Sequence, residues 1–235
     1  MNQNISSQKG NAVMFVLIAI ALFTALLFAI TNRSKDSSQI GDAERAKLYA
    51  TEIVAYANSI KIVIEQLRML KGVSDLNNDN YGVLFSYPKA HAEYGDYGDQ
   101  PETEIFNPNG GKVEYQIPDS RACIDASSCV YEFTGQINIS DIGNDFKSEL
   151  SMAVLGLKEK VCSQINKING HEWNYIPQGA ELILQRFSGE NYGELSAVEI
   201  KLSGTLNELK GQQSFCYQES NGLRRYVFVH IINAR

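Results

Sequence analysis

The longest apolar stretch of the chain lies close to its start. The nineteen residues from Ala12 to Ile30 carry no charge, and Thr24 is their only polar side chain. A helix of this length rises about 30 Å, at about 1.5 Å per residue, which matches the hydrocarbon thickness of a bilayer. We therefore predict a transmembrane helix over 11–31, preceded by a short polar leader over 1–10. The side chains predicted to face lipid include Val16, Ile20, Phe23 and Leu27.

A cleaved secretory signal is the alternative explanation of this apolar stretch. The stretch is longer than the apolar core of a usual signal peptide, and Phe28-Ala29-Ile30-Thr31 is a poor match to a small-x-small cleavage site. We therefore expect the chain to keep the segment as an anchor, so that any function is carried out at a membrane surface.

A helical periodicity follows the polar linker that we predict over 32–41. From 42 to 71, apolar residues recur at alternating steps of three and four, which predicts an amphipathic helix, and Gly72 stands where a C-terminal cap would lie. The apolar face either packs on the chain's own sheet or forms a coiled-coil seam with a partner helix. The predicted partner-helix seam consists of Tyr49, Ile53, Tyr56, Ile60, Val63 and Leu67.

The remaining residues, 72–235, are predicted to form one soluble α+β domain, because short β-like runs alternate there with Gly, Asn, Asp and Pro. Ser220-Asn221-Gly222 predicts a hairpin between the last two strands. One helix is predicted among the strands, since apolar residues from Phe146 to Ile168 have helical spacing and Gly170 ends the pattern. The predicted strands, which form an antiparallel β-rich domain, are 81–87, 113–117, 130–137, 181–187, 195–203, 214–218 and 225–232.

Charge and motifs exclude several classes of function. The net charge of −6 and the absence of a basic run make nucleic acid an unfavourable partner. No G-x-S-x-G or Walker sequence occurs, and His171-Glu172 lacks the second histidine of a zincin helix. His230 alternates with apolar neighbours in a predicted strand, which is typical of a packed or surface histidine. We therefore predict no enzyme, no cofactor and no metal.

One partial calcium pattern occurs after the amphipathic helix. Asp75, Asn77 and Asp79 alternate as the first ligands of a calcium loop do, but Asn80 replaces the required glycine and Ser86 replaces the glutamate. We therefore interpret this segment as a polar loop rather than a metal site.

The four cysteines, Cys123, Cys129, Cys162 and Cys216, favour an oxidising compartment. None forms a C-x-x-C pair, the first two flank a turn-like stretch that could close as a small disulfide loop, and the other two would tie a helix to a late strand. The alternative is four buried free thiols in a cytosolic protein.

The basic residues that follow the apolar stretch favour the cytoplasmic side of the membrane for the large domain. Arg33 and Lys35 alone would place the large domain in the cytoplasm. Large domains cross membranes largely regardless of such charges, so the cysteines decide our prediction of a domain outside the cytoplasm.

The order of polar leader, apolar helix, amphipathic helix and cysteine-containing β domain resembles type IV pilins and type II secretion pseudopilins. In that family a prepilin peptidase cuts after a glycine, which corresponds to Gly10 here, with Asn11 as the first mature residue. The family usually has Phe or Met at the first mature position and Glu at the fifth, where this chain has Asn11 and Phe15. Some minor, tip-type pseudopilins also lack that glutamate.

The resemblance implies a single-pass protein of the inner membrane with its soluble domain in the periplasm. It also implies a non-enzymatic role in an envelope filament or secretion apparatus, with other copies or other pilin-like subunits as partners. The Gly10–Phe15 opening and the Tyr226–Ile232 strand also resemble pilin-like membrane proteins of alphaproteobacteria. A signal-anchored periplasmic binding or scaffold module is the alternative.

Overall fold

The computed structural model describes most of the chain, and its contacts divide the chain into two compact units. The units are Met1–Arg45 and Ala46–Arg235. The backbone is described over 9–72, 82–85, 101–143, 148–179, 181–182, 187, 209–220 and 222–234, and the side chains of the first range over 15–24 and 41–72. The helices and strands are α1 (Lys9–Lys71), β1 (Tyr131–Ile137), β2 (Glu149–Leu157), α2 (Glu159–Ile168), β3 (Gln178–Gly179), β4 (Ser214–Glu219) and β5 (Tyr226–Asn233).

The strands form one sheet in the order β1-β2-β5-β4-β3. All neighbours are antiparallel except β3 and β4, which are parallel. The α+β class predicted from the sequence is thereby confirmed. The predicted hairpin is also present, since β4 and β5 pair across the turn that contains Gly222, whose φ is +63°.

The region around residue 150 is a strand, where the sequence predicted a helix. β2 lies between β1 and β5, and each of its nine residues is buried. A strand that is buried on both faces reads as an almost continuous apolar run, so Leu150, Val154 and Leu157 match helical spacing without forming a helix. Gly156, with φ +74°, lies at a register shift close to the end of the strand, and the helix α2 follows from Glu159.

The segment 113–117 is also not a strand. It lies beside α1 with no neighbouring strand among the described residues. The Val113 amide donates to the Ile105 carbonyl at 3.2 Å, and two further backbone groups are bonded by a side chain. The Tyr56 hydroxyl donates to the carbonyl oxygen of Glu114 at 3.3 Å and accepts from the amide of Gln116 at 3.3 Å. The buried Tyr56 hydroxyl thus bonds two backbone groups for which the alternating sequence predicted a neighbouring strand.

Three other predicted strands coincide with β1, β4 and β5 to within one residue at each end. The predicted strands 81–87 and 181–187 are described only in part, and 195–203 lies outside the described residues. In the first of these, Leu84 forms an isolated parallel bridge with Glu104.

Helix α1 has 63 residues and includes the segment 32–41, where the polar composition predicted a linker. That segment contains no proline, and each serine or asparagine in a helix costs less than about 1 kcal/mol relative to alanine. Extending an existing helix needs no new nucleus, so such a segment can stay helical. The helix ends as predicted at Gly72, whose φ is +64° and whose amide donates to the carbonyl of Arg68 at 3.2 Å.

The sheet has an apolar cluster on each face. α1 and α2 cover one face, where their buried residues pack with Phe133, Met152 and Phe228. The opposite face is covered by residues such as Ile139, Leu182 and Leu209. Along β5 the side chains alternate between the two clusters, with Val227, Val229 and Ile231 in the second and Phe228 and Ile232 in the first.

Candidate functional site

The described part of the apolar stretch exposes every one of its large side chains. From Phe15 to Phe23 the exposed fraction of the large apolar residues ranges from 45% at Ile18 to 68% at Phe15. Of the predicted lipid-facing residues, Val16, Ile20 and Phe23 belong to this set. Leu27 lies within α1, but its side chain is outside the described set. The described side chains of this helical segment are therefore mostly apolar and are exposed on every side of the helix.

The one polar side chain of the segment makes its hydrogen bonds inside the helix. The Thr24 hydroxyl lies 3.0 Å from the carbonyl oxygen of Ile20 and 2.9 Å from that of Ala21. A hydroxyl bonded to its own helix needs no partner from water or from another element. Thr24 therefore does not interrupt the apolar surface.

The predicted cleavage point lies at the start of α1. The helix begins at Lys9, so Gly10 and Asn11 have helical backbone within its first turn. Among the described residues, none of the helices combines the length and the apolarity that a membrane crossing needs.

The predicted partner-helix seam is buried in the chain's own domain. Tyr49, Ile53, Tyr56, Ile60 and Leu67 are all at most 7% exposed and belong to the cluster under α1, and Val63 packs against that cluster. This is the alternative in which the stripe packs on the chain's own sheet. The five buried residues therefore have almost no free surface for a partner helix, and Val63 is only partly exposed.

Both cysteine pairs predicted from the sequence are disulfides. Cys123 is bonded to Cys129 and Cys162 to Cys216, so the described residues contain no free cysteine. The first bridge closes a short loop whose turn is capped by Asp125, and Asp119 caps the turn that leads into Cys123. The Arg121 side chain pairs with Asp119, and this ion pair holds the pKa of the Asp119 carboxyl well below its ordinary range.

The second disulfide lies beside a contact that the sequence did not indicate. One turn of α2 after Cys162, the Asn166 side chain donates to the Cys216 carbonyl at 2.8 Å and accepts from the Cys216 amide at 2.7 Å. An amide side chain thus bonds both backbone groups of a strand residue, as a neighbouring strand would. The four-residue step from Cys162 to Asn166 was the only signal, and it has no meaning before α2 and β4 are known to be neighbours.

The two histidines of the described residues have structural surroundings rather than the geometry of a metal site. The His171 ring stacks on Trp173 with centroids 4.2 Å apart, and its Nε2 lies 2.8 Å from the Ser214 carbonyl oxygen. His230 is 4% exposed within β5, so it is the packed histidine that the sequence predicted as one alternative. No group of three or more metal-ligating side chains occurs in the described ranges, and Asp75, Asn77 and Asp79 lie outside them.

Two features of the described chain therefore bear on function: an exposed apolar helical segment, and a disulfide-bonded domain with its own core. No family model, no curated protein and no solved structure matches this chain.

Proposed function

We propose that this chain is a single-pass, non-enzymatic membrane protein. It acts as a pilin- or pseudopilin-like minor subunit of an envelope filament or secretion apparatus, with its domain in the periplasm. The observation that carries the proposal is the exposed apolar segment at the start of α1, which extends in sequence over Ala12–Ile30. The order of leader, apolar helix and cysteine-containing domain supports the pilin-like role.

Lipid is the partner that best suits the apolar segment. Large apolar side chains point outward from every side of the helix between Phe15 and Phe23, whereas a helix that packs on one protein surface needs only one apolar stripe. The internally bonded Thr24 suits hydrocarbon, where an unbonded polar group costs several kcal/mol. Other copies of the segment are compatible with this role, since helices also associate within membranes.

The disulfides support an extracytoplasmic domain. Disulfide bonds persist in oxidising compartments such as the periplasm and are rare in the cytosol of mesophiles. In cells, we expect thiol alkylation without prior reduction to label none of Cys123, Cys129, Cys162 and Cys216. If all four thiols were alkylated, the domain would instead be assigned to the cytosol.

Membrane fractionation of the full-length chain tests the anchor. We expect the wild-type chain to stay in the membrane pellet after alkaline extraction. The double variant Leu17→Asp/Leu22→Asp should move to the supernatant, because each aspartate in the middle of a membrane helix costs about 3 kcal/mol.

The matched control places the same two changes on exposed apolar residues of the domain. Ile62 and Met69 are 53% and 83% exposed, so Ile62→Asp/Met69→Asp should leave the chain in the pellet. A wild-type chain that remains in the supernatant as a monomer, without detergent, would refute the anchor.

The intact mass of the mature chain tests the pilin-like part separately. In cells with an active prepilin peptidase, we expect a chain that starts at Asn11 instead of Met1. A membrane-bound chain that still starts at Met1 would contradict the pilin-like role but keep the anchor.

Phe15 favours one alternative, a signal-anchored binding or scaffold module that does not assemble into a filament. It occupies the position at which the family usually has a glutamate, and its side chain is 68% exposed. An uncleaved, membrane-bound chain that remains monomeric after mild crosslinking would support this alternative.

A further inference from the structure

Two neighbouring strands carry, side by side, polar side-chain atoms that are buried without a hydrogen bond. His230 of β5 and Ser214 of β4 are directly paired in the sheet register. Neither ring nitrogen of His230, nor the Ser214 hydroxyl oxygen, has a partner among the described residues. Buried polar groups are nearly always bonded, and leaving one unbonded costs about 1–3 kcal/mol. Leaving these polar atoms unbonded is therefore costly for the folded domain.

His230 points to the face of the sheet that α1 covers. Along β5 its neighbours two residues away, Phe228 and Ile232, both belong to the cluster under α1. Side chains two apart on a strand share a face, so His230 lies on the same side. Its ring also lies near that of Phe228, with centroids 6.3 Å apart. The histidine is thus enclosed between the sheet and the helix.

The charged group that faces His230 from α1 is Lys61, which repels a protonated imidazole. The Lys61 ammonium donates to the Gln213 side chain at 3.2 Å, just before β4. On either side of His230 in the sheet stand Met152 of β2 and Ser214, which do not titrate. The His171 imidazole lies beyond Ser214, at its carbonyl oxygen.

These surroundings favour the neutral imidazole. Burial, and secondarily Lys61, lower the pKa of His230 from its ordinary 6.5 to about 4. Among the described residues, no carboxylate is hydrogen-bonded to either ring nitrogen of His230. Protonation must therefore either expose the ring to water or leave a charge buried beside an ammonium.

We propose that His230 makes the packing of α1 on the sheet sensitive to pH, so that acid loosens the part of the helix above it. The device couples the packing of α1 to the acidity of the surroundings, and it does not depend on whether the chain is anchored in a membrane.

The sign of the effect follows from the two pKa values. A base with a lowered folded-state pKa stabilises the closed form most above pH 6.5, and this stabilisation is lost as the pH falls from 6.5 towards 4. If the open form has the ordinary histidine pKa, the open-to-closed ratio should rise about 20-fold between pH 7 and pH 5.

Amide hydrogen exchange of the full-length chain in detergent micelles measures this ratio. Exchange in residues 57–64 of α1, corrected for the intrinsic pH dependence of exchange, should show the 20-fold rise in the wild type. His230→Phe keeps a ring of similar size without a titrating group, and the rise should then fall below about two-fold. His230→Met, which resembles the neighbouring Met152, gives the same test if the phenylalanine is not accommodated.

The matched control is His171→Gln, which removes the other described histidine and should keep the rise. The proposal is overturned if the wild type shows no rise, if either His230 variant keeps it, or if His171→Gln abolishes it.

Discussion

The two described stretches of α1 differ in the exposure of their apolar side chains. Between Phe15 and Thr24 the large side chains are exposed around the whole helix. Between Ala46 and Leu67 one apolar stripe is buried, whereas Leu48 and Ile62 on the other side are more than half exposed. The second stretch therefore packs within its own domain, whereas the described side chains of the first stretch are exposed.

This difference shows how far the spacing of apolar residues predicts what covers a helix. A stripe at steps of three and four indicates that one side of a helix is covered, but the chain's own sheet and a partner helix both satisfy it. A stretch that is apolar on all sides indicates a surrounding medium or a complete enclosure. The predictions below test the buried stripe of α1 and the other contacts that hold the domain together.

The largest effect is expected where a charge enters the buried stripe. Ile60 is 0% exposed, so Ile60→Asp should destabilise the domain by about 4–5 kcal/mol, through lost packing and a desolvated carboxylate. The measurement is denaturant unfolding of the full chain in mild detergent, followed by the fluorescence of Trp173. This is the only tryptophan, and it packs on the sheet face opposite α1.

Two controls place the same charge elsewhere on α1. Ile62→Asp, two residues away on the exposed side, should change the free energy of unfolding by less than about 0.5 kcal/mol. Leu17→Asp should leave this free energy unchanged and weaken membrane retention. If Ile60→Asp unfolded no more easily than Ile62→Asp, the stripe would not be part of the domain core.

The two disulfides both lie in the domain, and we expect them to stabilise it to different extents. The chain-entropy relation, applied to sequence separations of 54 and 6 residues, gives about 4 kcal/mol for Cys162–Cys216 and about 2 kcal/mol for Cys123–Cys129. The paired alanine variants, Cys162→Ala/Cys216→Ala and Cys123→Ala/Cys129→Ala, should lose stability in that order. Equal losses would mean that strain or residual structure, and not loop closure, sets the contribution of the bridges.

Local signals in the sequence predicted much of the fold. Gly72 and the Ser220-Asn221-Gly222 turn each depend on a few neighbouring residues, and the structure has the helix end and the hairpin there. The strand β2 was missed because it pairs with β1 and β5 along its two edges, and because residues from elsewhere in the chain cover its two faces. Whether a segment has a strand on each side is not a local property.

The same limit applies to the candidate sites. The exposed apolar segment and the cysteine pairs were recognisable, because their chemistry is tied to residue type. The Asn166 contact and the buried pair of Ser214 and His230 were not, since each joins groups far apart in sequence. The predicted partner-helix seam was ambiguous, because the spacing of its apolar residues fits both the chain's own sheet and a partner helix.

A smaller effect is expected at the edge of the sheet. Asn166→Ala leaves the amide and the carbonyl of Cys216 without their partner, which should cost about 2–3 kcal/mol. Asn169→Ala, on the same helix, loses one bond to the Ile165 carbonyl at the helix end and should cost less than about 1 kcal/mol. Unfolding followed by Trp173 fluorescence compares the two, and equal costs would show that the edge contact contributes nothing of its own.

The smallest expected effect concerns one hydroxyl on the buried side of α1. Tyr56→Phe keeps the ring, whose centroid is 4.5 Å from that of Tyr131, but removes the bonds to Glu114 and Gln116. Both bonds are long, at 3.3 Å, so we expect a loss of about 1 kcal/mol and faster exchange of the Gln116 amide. Tyr131→Phe removes the hydroxyl of the other ring and should leave that amide protected. If both variants deprotected the Gln116 amide equally, ring packing rather than the hydroxyl would hold the segment 113–117 on α1, and the helix would act there only as an apolar surface.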